Sequence, residues 1–473
     1  MRLHTTACVL GSLVLVSQAG AEETEVTFST ADGVEIHGTF QLPDGDIFDP
    51  LPAVLLVHGG KQSRAEWAPL QPELGESGWA VLSIDLRGHG ATGGEIADWA
   101  AFFNDKDGVP QDVAAAMAFL GDHESVNKER IAVVGSSVGG NLACVAVENL
   151  GAIGGVCLSG KTEAATSLAG KELTGLKSML FIAGEKEQSG ARAEFARELS
   201  AVSAGASRAH IVKDSSAHGA ALLSEKPELV NDVMGHLRGI LWNGKPKRIE
   251  FPAEDGLMIT ADIYGPHPLD APWIVVAHQA RFSRGEYRET APRLNVLGFN
   301  VLALDQRSGE AANDVVNETA ARAKEKGLPM GYLDAEGDIV AGLRWVRGLG
   351  AEKLILVGSS YSASLSLKIA AEHAGLITGV ASFSPGEYFG DDHPKLIETA
   401  SSKVACPAFI TSSKKEGPMW APFFAAIPGK EGERKWGYLP EDEGQHGSKA
   451  LWSTFEGHRA LWDAFSAFLL PLR

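Results

Sequence analysis

Residues 133–140 read Val-Val-Gly-Ser-Ser-Val-Gly-Gly, and residues 354–364 read Leu-Ile-Leu-Val-Gly-Ser-Ser-Tyr-Ser-Ala-Ser. Each places a serine between small residues directly after an apolar run. Gly-x-Ser-x-Gly at a strand-to-helix junction has a mechanical reason: the serine occupies a tight turn and its hydroxyl stands clear of the sheet. Residues two positions away on either side must be small, or their Cβ atoms would collide with the turn. The start of the next helix offers backbone N–H groups to developing negative charge. With 54 glycines in the chain the bare pattern decides little. Its position after the apolar run 131–134 and before an Ala-rich segment gives it weight.

The second occurrence is part of a longer repeat. Val26-Thr-Phe-Ser-Thr-Ala-Asp-Gly-Val34 recurs as Ile249-Glu-Phe-Pro-Ala-Glu-Asp-Gly-Leu257, and both read as strand, Asp-Gly turn, strand. Leu55-Leu-Val-His58 meets Val275-Val-Ala-His278 at an offset of 220. At the same offset, Ser63-Arg-Ala-Glu-Trp67 meets Ser283-Arg-Gly-Glu-Tyr287 and Ile84-Asp-Leu-Arg87 meets Leu304-Asp-Gln-Arg307. Ser137 and Ser360 are 223 apart, and His218-Gly219 recurs as His446-Gly447 at 228. Matches in one order with slowly drifting offsets are the mark of duplication followed by loop insertions. The polar break Trp242-Asn-Gly-Lys-Pro-Lys247 marks the junction.

At 473 residues the chain is too long for one ordinary core. The division expected is a leader over 1–21, a first domain over 22–243 and a second over 244–473. Met1-Arg2-Leu3-His4, the apolar run from Ala7 to Val16 and the small-x-small site Ala19-Gly-Ala21 have the form of a secretory signal peptide. The mature protein is therefore expected to be secreted or periplasmic, with no membrane association after cleavage. A net charge of −18 argues against charge-driven binding of nucleic acid or anionic lipid. Once the leader with Cys8 is removed, Cys144, Cys157 and Cys406 remain; three cannot all pair, and their apolar neighbours predict buried thiols in helix or strand.

Within the first half, short apolar runs (53–57, 80–85, 131–134, 155–158, 179–183, 209–212) alternate with helical segments near 69–75, 112–120, from 138 and over 227–241. Such alternation predicts an α/β fold: a mostly parallel sheet with helices on both faces, entered through an antiparallel hairpin, in each half.

The first half resembles an α/β-hydrolase of the dienelactone hydrolase / serine esterase–peptidase type. The resemblance rests on His58-Gly59-Gly60, Asp85-Leu-Arg-Gly-His-Gly90, Gly135-x-Ser137-x-Gly139 and His218-Gly219, and it covers roughly residues 25–242. It implies Ser137 as nucleophile and His218 as its general base. The family's acid follows the strand 179–183, usually three residues beyond a glycine; Glu187 stands there, with Glu185 and Asp214 as competitors. The backbone N–H groups of Val138 and Gly60 would form the oxyanion site. The charged run 85–90 is expected to order its own loop. No His/Cys/Asp cluster has metal spacing, and no metal or organic cofactor is expected.

The second half resembles the same superfamily with fewer diagnostic matches. It implies a triad of Ser360, Glu416 and His446, with N–H donors from Ala280 and Tyr361. His278-Gln-Ala280 replaces His-Gly-Gly, Ser362 stands at the second tight position, and Lys415 holds the aligned acid position one residue before Glu416. This half is either a second active site or a degenerate copy kept for packing. Neither half has room for a large lid, although the excursion 309–337 is long enough to cover the second cleft. The resemblance implies a serine hydrolase acting on a small-molecule ester or acyl substrate through an acyl-enzyme. A serine peptidase of the same fold and a non-catalytic binding protein are the rivals, and fold alone does not separate them.

Overall fold

The computed structural model describes residues 22–43, 47, 49–242 and 245–473. The expected leader and the junction residues 243 and 244 lie outside the described residues.

In the first half β1 (Glu22–Ser29) and β2 (Glu35–Leu42) form the expected antiparallel hairpin. The Asp-Gly pair makes the tight turn because Gly33 adopts φ +86°, a conformation that costs glycine little. β3 (Leu51–Val57), β4 (Ala80–Asp85), β5 (Val126–Ser136), β6 (Gly155–Leu158), β7 (Met179–Gly184) and β8 (Arg208–Val212) follow. Their spatial order is β1-β2-β4-β3-β5-β6-β7-β8. β2 lies antiparallel to β4, and every pair from β4 to β8 is parallel.

The apolar runs are continuous because helices cover both faces. Leu55, Val57 and Val133 pack with Val113, Leu120, Leu142 and Ala146 of the helices Pro110–Asp122 and Val138–Asn149. The alternate residues Val54, Leu56 and Val134 pack with Leu229, Val233 and Leu237 of the helix Glu228–Leu241. The period of two along each strand thus feeds two separate cores.

The second half repeats this plan. β9 (Lys247–Pro252) and β10 (Met258–Tyr264) form its hairpin, followed by β11 (Trp273–Ala277) and β12 (Asn300–Leu304). A two-residue pair, β13 (Ala311–Ala312) and β14 (Val315–Val316), lies outside the main sheet. β15 (Leu354–Ser359), β16 (Gly379–Phe383), β17 (Ala408–Thr411) and β18 (Lys435–Tyr438) complete it. The order β9-β10-β12-β11-β15-β16-β17-β18 matches the first sheet position for position.

The halves meet where the helix Glu228–Leu241 packs on the helix Thr290–Val296. A Cβ on Gly239 would lie 2.4 Å from the Val296 Cα, so only glycine permits this approach. Arg473, at the end of the chain, reaches back to the Asp232 carboxylate and to the Leu297 carbonyl. One expectation fails locally: Cys144 and Cys157 are buried in helix and strand, but Cys406 sits in a bend and is only partly buried. Pro407 follows it and keeps its backbone out of β17, which begins at Ala408.

Candidate active site

Ser137 follows the last residue of β5 and caps the helix Val138–Asn149 with φ +54° and ψ −112°. Ser360 does the same after β15, at φ +60° and ψ −122°. Positive φ at a serine is strained by about 1–3 kcal/mol and persists only where the surroundings enforce it. Here the small neighbours do so. A Cβ on Gly135 would lie 1.9 Å from the Gly139 carbonyl oxygen, and one on Gly139 would lie 2.0 Å from the Val57 carbonyl oxygen. The sheet, the turn and the helix are therefore in backbone contact, and the hydroxyl is forced outward.

The sequence-predicted residues of each half come together. The Ser137 Oγ lies 2.8 Å from His218 Nε2, and His218 Nδ1 lies 2.5 Å from Glu187 Oε1. In the second half Ser360 Oγ is 2.8 Å from His446 Nε2, and His446 Nδ1 is 2.6 Å from Glu416 Oε1. The competing acids lie elsewhere. Asp214 pairs with Lys186 at 2.6 Å in solvent, and Glu185 accepts the Asp214 N–H. Lys415 does not enter the second site: the short turn Lys414–Glu416 brings the next residue, Glu416, round to the histidine. Burial works against the Glu416 carboxylate, but hydrogen bonds from His446, Ser413 and Ser384 hold it down at about 2.

Two further serines, absent from the sequence reading, fix these acids. Ser159 Oγ donates to Glu187 Oε2 at 2.8 Å and accepts the Gly219 N–H at 2.8 Å. Ser384 Oγ donates to Glu416 Oε2 at 2.9 Å and accepts the Gly447 N–H at 2.9 Å. Each serine ties an acid to the loop that carries the histidine. The signal was present, since both follow β6 and β16 at an offset of 225, but an ordinary Ser after a strand does not announce a role.

The predicted oxyanion residues also have places. Gly60 and Ser137 share a cavity of about 220 Å³ with His218. Val138 opens its helix, so its N–H has no partner within that helix. The preceding Gly59 N–H donates to Glu66 Oε2 at 2.7 Å, and Glu66 Oε1 accepts from Ser136 Oγ at 2.9 Å. The Glu66 carboxylate therefore ties the Gly59-Gly60 turn to the serine elbow. In the second half Glu286 ties the turn to the histidine loop: it accepts the Gln279 N–H at 2.8 Å and the Ser448 hydroxyl at 2.6 Å, and the Ser448 N–H in turn donates to Ser359 Oγ of the elbow at 2.8 Å. These glutamates belong to the repeated Ser-Arg-x-Glu stretch, where the sequence shows the repeat but not its purpose.

The histidines of the turns are structural. Leu86 N–H donates to His58 Nε2, so the Nδ1 proton faces the Gly59 carbonyl at 2.6 Å. His278 is held in the same way by the Gln306 N–H and the Gln279 carbonyl. Burial pushes both imidazoles down to about 4, so both are neutral. In the run 85–90, Asp85 accepts the N–H groups of Arg64 and Ala91, and His89 Nε2 accepts that of Lys61. Arg87 pairs with Asp112 and Asp32. These bonds tie the loop after β4 together.

The second site has different walls. Ser362 fills the place of Gly139, and its hydroxyl lies 2.7 Å from the Ala277 carbonyl and 2.9 Å from that of His278. Tyr361 is fully buried, bonded to Gln306 and Ser308 and stacked on Tyr332 of the 309–337 excursion at 4.4 Å. Ala280 is half-buried beside this network. The Tyr388 hydroxyl donates to the Ser384 carbonyl at 2.9 Å. Ser360 is only 8% exposed. Beside Gly60 of the first half stand Phe103 and Trp99 instead, with the Lys61 ammonium over the indole at 5.5 Å.

A family model described as the alpha/beta hydrolase fold matches residues 52–171. An uncharacterised protein, YfhR of Salmonella typhi, is 30% identical over 129 residues, covering 27% of this chain and 41% of its own length. Two esterase structures are among the solved structures that this chain is similar to. The esterase Pf2001 of Pyrococcus furiosus has TM-score 0.38 and 21% identity, over 47% of this chain and 94% of its own. The acetyl xylan esterase of Paenibacillus sp. R4 has TM-score 0.38 and 18% identity, over 49% and 90%. With the strand order of both sheets and the helices on both faces, the molecule is an α/β-hydrolase fold written twice.

Proposed function

We propose that the protein is an exported serine hydrolase that cleaves carboxylic esters through an acyl-enzyme, with one domain over 22–243 and a second over 244–473. One observation carries the reading: a hydrogen-bonded Ser–His–Glu chain stands at the same sheet edge in both halves, at 2.8 and 2.5 Å in the first and 2.8 and 2.6 Å in the second. His218 Nε2 takes the Ser137 proton as Oγ attacks the ester carbonyl. Glu187 holds the imidazole with Nδ1 protonated and stabilises the imidazolium. The N–H groups of Val138 and Gly60 receive the oxyanion. His218 then protonates the departing alcohol, and a water activated by the same ring releases the acid.

The cavity of about 220 Å³ around Ser137 suits a short acyl group. The substrate is a small ester reaching an open pocket, with Trp99 and Phe103 flanking the oxyanion turn. Labelling the mature protein with a fluorophosphonate and counting adducts by mass tests the reading. Adducts on Ser137 and Ser360 are expected; an unlabelled protein would leave a non-catalytic binding fold. Rates on short aryl esters against aminoacyl anilides then separate esterase from peptidase.

A further inference from the structure

A cavity of another kind lies away from both triads. It lies between the halves, has a volume of about 530 Å³, and is lined by Arg197 and Arg208 of the first half and by Arg293, Arg459, Trp462 and Asp463 of the second. Arg208 opens β8, at the sheet edge opposite the one that carries His218 beyond that strand. The cavity is therefore separate from the catalytic pocket and shares no residue with it.

Four guanidinium groups meet one carboxylate here, in a chain of net charge −18. Arg197 is paired, with Glu194 at 2.5 Å. Among the described residues, Arg208, Arg293 and Arg459 have no carboxylate within ion-pair distance, although ion pairs are plentiful elsewhere in the molecule. The Nε and Nη2 atoms of Arg208 and the Nε of Arg293 are buried without a hydrogen-bond partner. Of the nearby acids, Asp232 pairs with His210 at 2.7 Å and with Arg473, and Glu289 accepts the Ser453 N–H at 2.5 Å, while Asp463 in the cavity wall lies beyond ion-pair distance and acts on Arg293 and Arg459 only through space.

The arginines are held in place. Arg293 stacks on the Trp462 indole at 4.2 Å and donates across the interface to the Gly205 carbonyl at 3.2 Å. Arg459 donates to the Ala201 carbonyl at 3.3 Å, again from one half to the other. Burial, together with the Arg473 charge, pulls Arg208 down to about 10, and burial brings Arg293 to a similar value. Buried unpaired cations are costly, and an oxyanion relieves that cost through charge-assisted, bidentate bonds.

We propose that this inter-half cavity is a binding site for a small molecule bearing a phosphate or carboxylate group, which Arg208, Arg293 and Arg459 hold by bridging the two halves. The volume is that of a small-molecule site, larger than a bare ion requires. Ligand binding draws on side chains of both halves, so it tightens the contact between them.

Isothermal titration of the full mature chain with inorganic phosphate and with acetate, at ionic strength fixed with sodium chloride, tests this. Saturable binding of at least one anion, at one site per chain, is expected. Arg208→Gln and Arg293→Gln should each weaken it at least tenfold. The exposed Arg459→Gln, which does not disturb the core, should weaken it by about threefold and provides the test if the buried variants misfold. Protein whose serines are blocked by a fluorophosphonate should bind unchanged. Tighter phosphate points to a phosphorylated ligand and tighter acetate to a carboxylate; both outcomes support the site. No saturable binding of either anion, binding indifferent to all three variants, or binding abolished by the fluorophosphonate would each overturn it.

Discussion

Ser137 lines an open pocket, whereas Ser360 is nearly buried beside a network of Tyr361, Gln306 and Ser308. Yet the distances from serine to histidine are the same in the two halves, 2.8 Å. The difference teaches which features the fold enforces. Serine, histidine and acid hang from the ends of strands that share one order, so sheet topology alone brings them together. Access and the oxyanion turn are built from loop side chains, and there the copies have parted. Gln279-Ala280 replaces Gly59-Gly60, and Asn317 of the longer excursion contacts His278 Nε2 at 3.1 Å.

The sharpest way to break this comparison is to silence one serine at a time. Ser137→Ala should lower turnover of a short aryl ester by roughly 10⁴-fold or more, the scale on which a triad nucleophile acts. Ser360→Ala should retain most of that activity, because its pocket is covered and its turn altered. Steady-state rates of the two variants decide it. Activity surviving Ser137→Ala and vanishing in Ser360→Ala would reverse the ranking of the halves.

The acids come next. Glu187→Gln should cost roughly 10³–10⁴-fold in kcat, because the amide no longer holds the imidazole with Nδ1 protonated. Asp214→Asn should retain near-full activity, since its pairing with Lys186 is on the surface. The matching change, Glu416→Gln, should leave aryl ester turnover intact and remove whatever fluorophosphonate reactivity Ser360 shows. An inactive Asp214→Asn would return the acid's role to that residue.

Much of this architecture was readable in the residues. The hairpin turns, the elbow glycines and the parallel strands are local signals, written in backbone conformation and in period-two burial. In the first half the unread helices were Trp99–Asn104, Thr162–Ala169, Ala191–Val202 and the five-residue Ala221–Glu225. Trp99–Asn104 is only six residues long, and Ala191–Val202 is charged along much of its length, so neither offers a clear apolar stripe. The roles of Glu66 and Ser159 were not readable for a different reason. Each acts across loops 60–70 residues apart in sequence, Glu66 on Ser136 and Ser159 on Gly219, and only the folded sheet brings those loops together.

A milder perturbation treats the halves alike. Each carries two buried histidines whose imidazoles burial pushes down: His58 and His236 in the first, held at about 4 and about 3, and His267 and His278 in the second, both at about 4. In every case burial is the main cause. Their folded values lie below the ordinary 6.5, so the stability they contribute is present above pH 6.5 and is lost as pH falls through about 4. For His58 or His278 a shift of 2.5 pH units corresponds to about 3 kcal/mol. Urea unfolding between pH 7 and 4.5 should show both halves weakening over one window. His58→Gln should flatten the dependence of the first half alone. A first half indifferent to pH would refute the shared device.

The smallest expected effect concerns the second tight position of the elbow, glycine in one copy and serine in the other. In the first half a side chain at Gly139 is barred, since its Cβ would lie 2.0 Å from the Val57 carbonyl oxygen. In the second half Ser362 occupies that place, and its hydroxyl accepts the Ser359 N–H at 2.9 Å while facing the Ala277 and His278 carbonyls. Ser362→Gly removes this fully buried hydroxyl and leaves the Ser359 N–H short of a partner. The lost bond costs about 1 kcal/mol, and glycine in the first turn of a helix adds a few tenths. The second half should therefore melt about 2–4 °C lower, as expected for a unit of its size. Turnover at Ser137 should be untouched, because the change lies in the other sheet. A Ser362→Gly protein that melts as the parent does, but gains esterase activity at Ser360, would show that the serine obstructs the second site without bracing it.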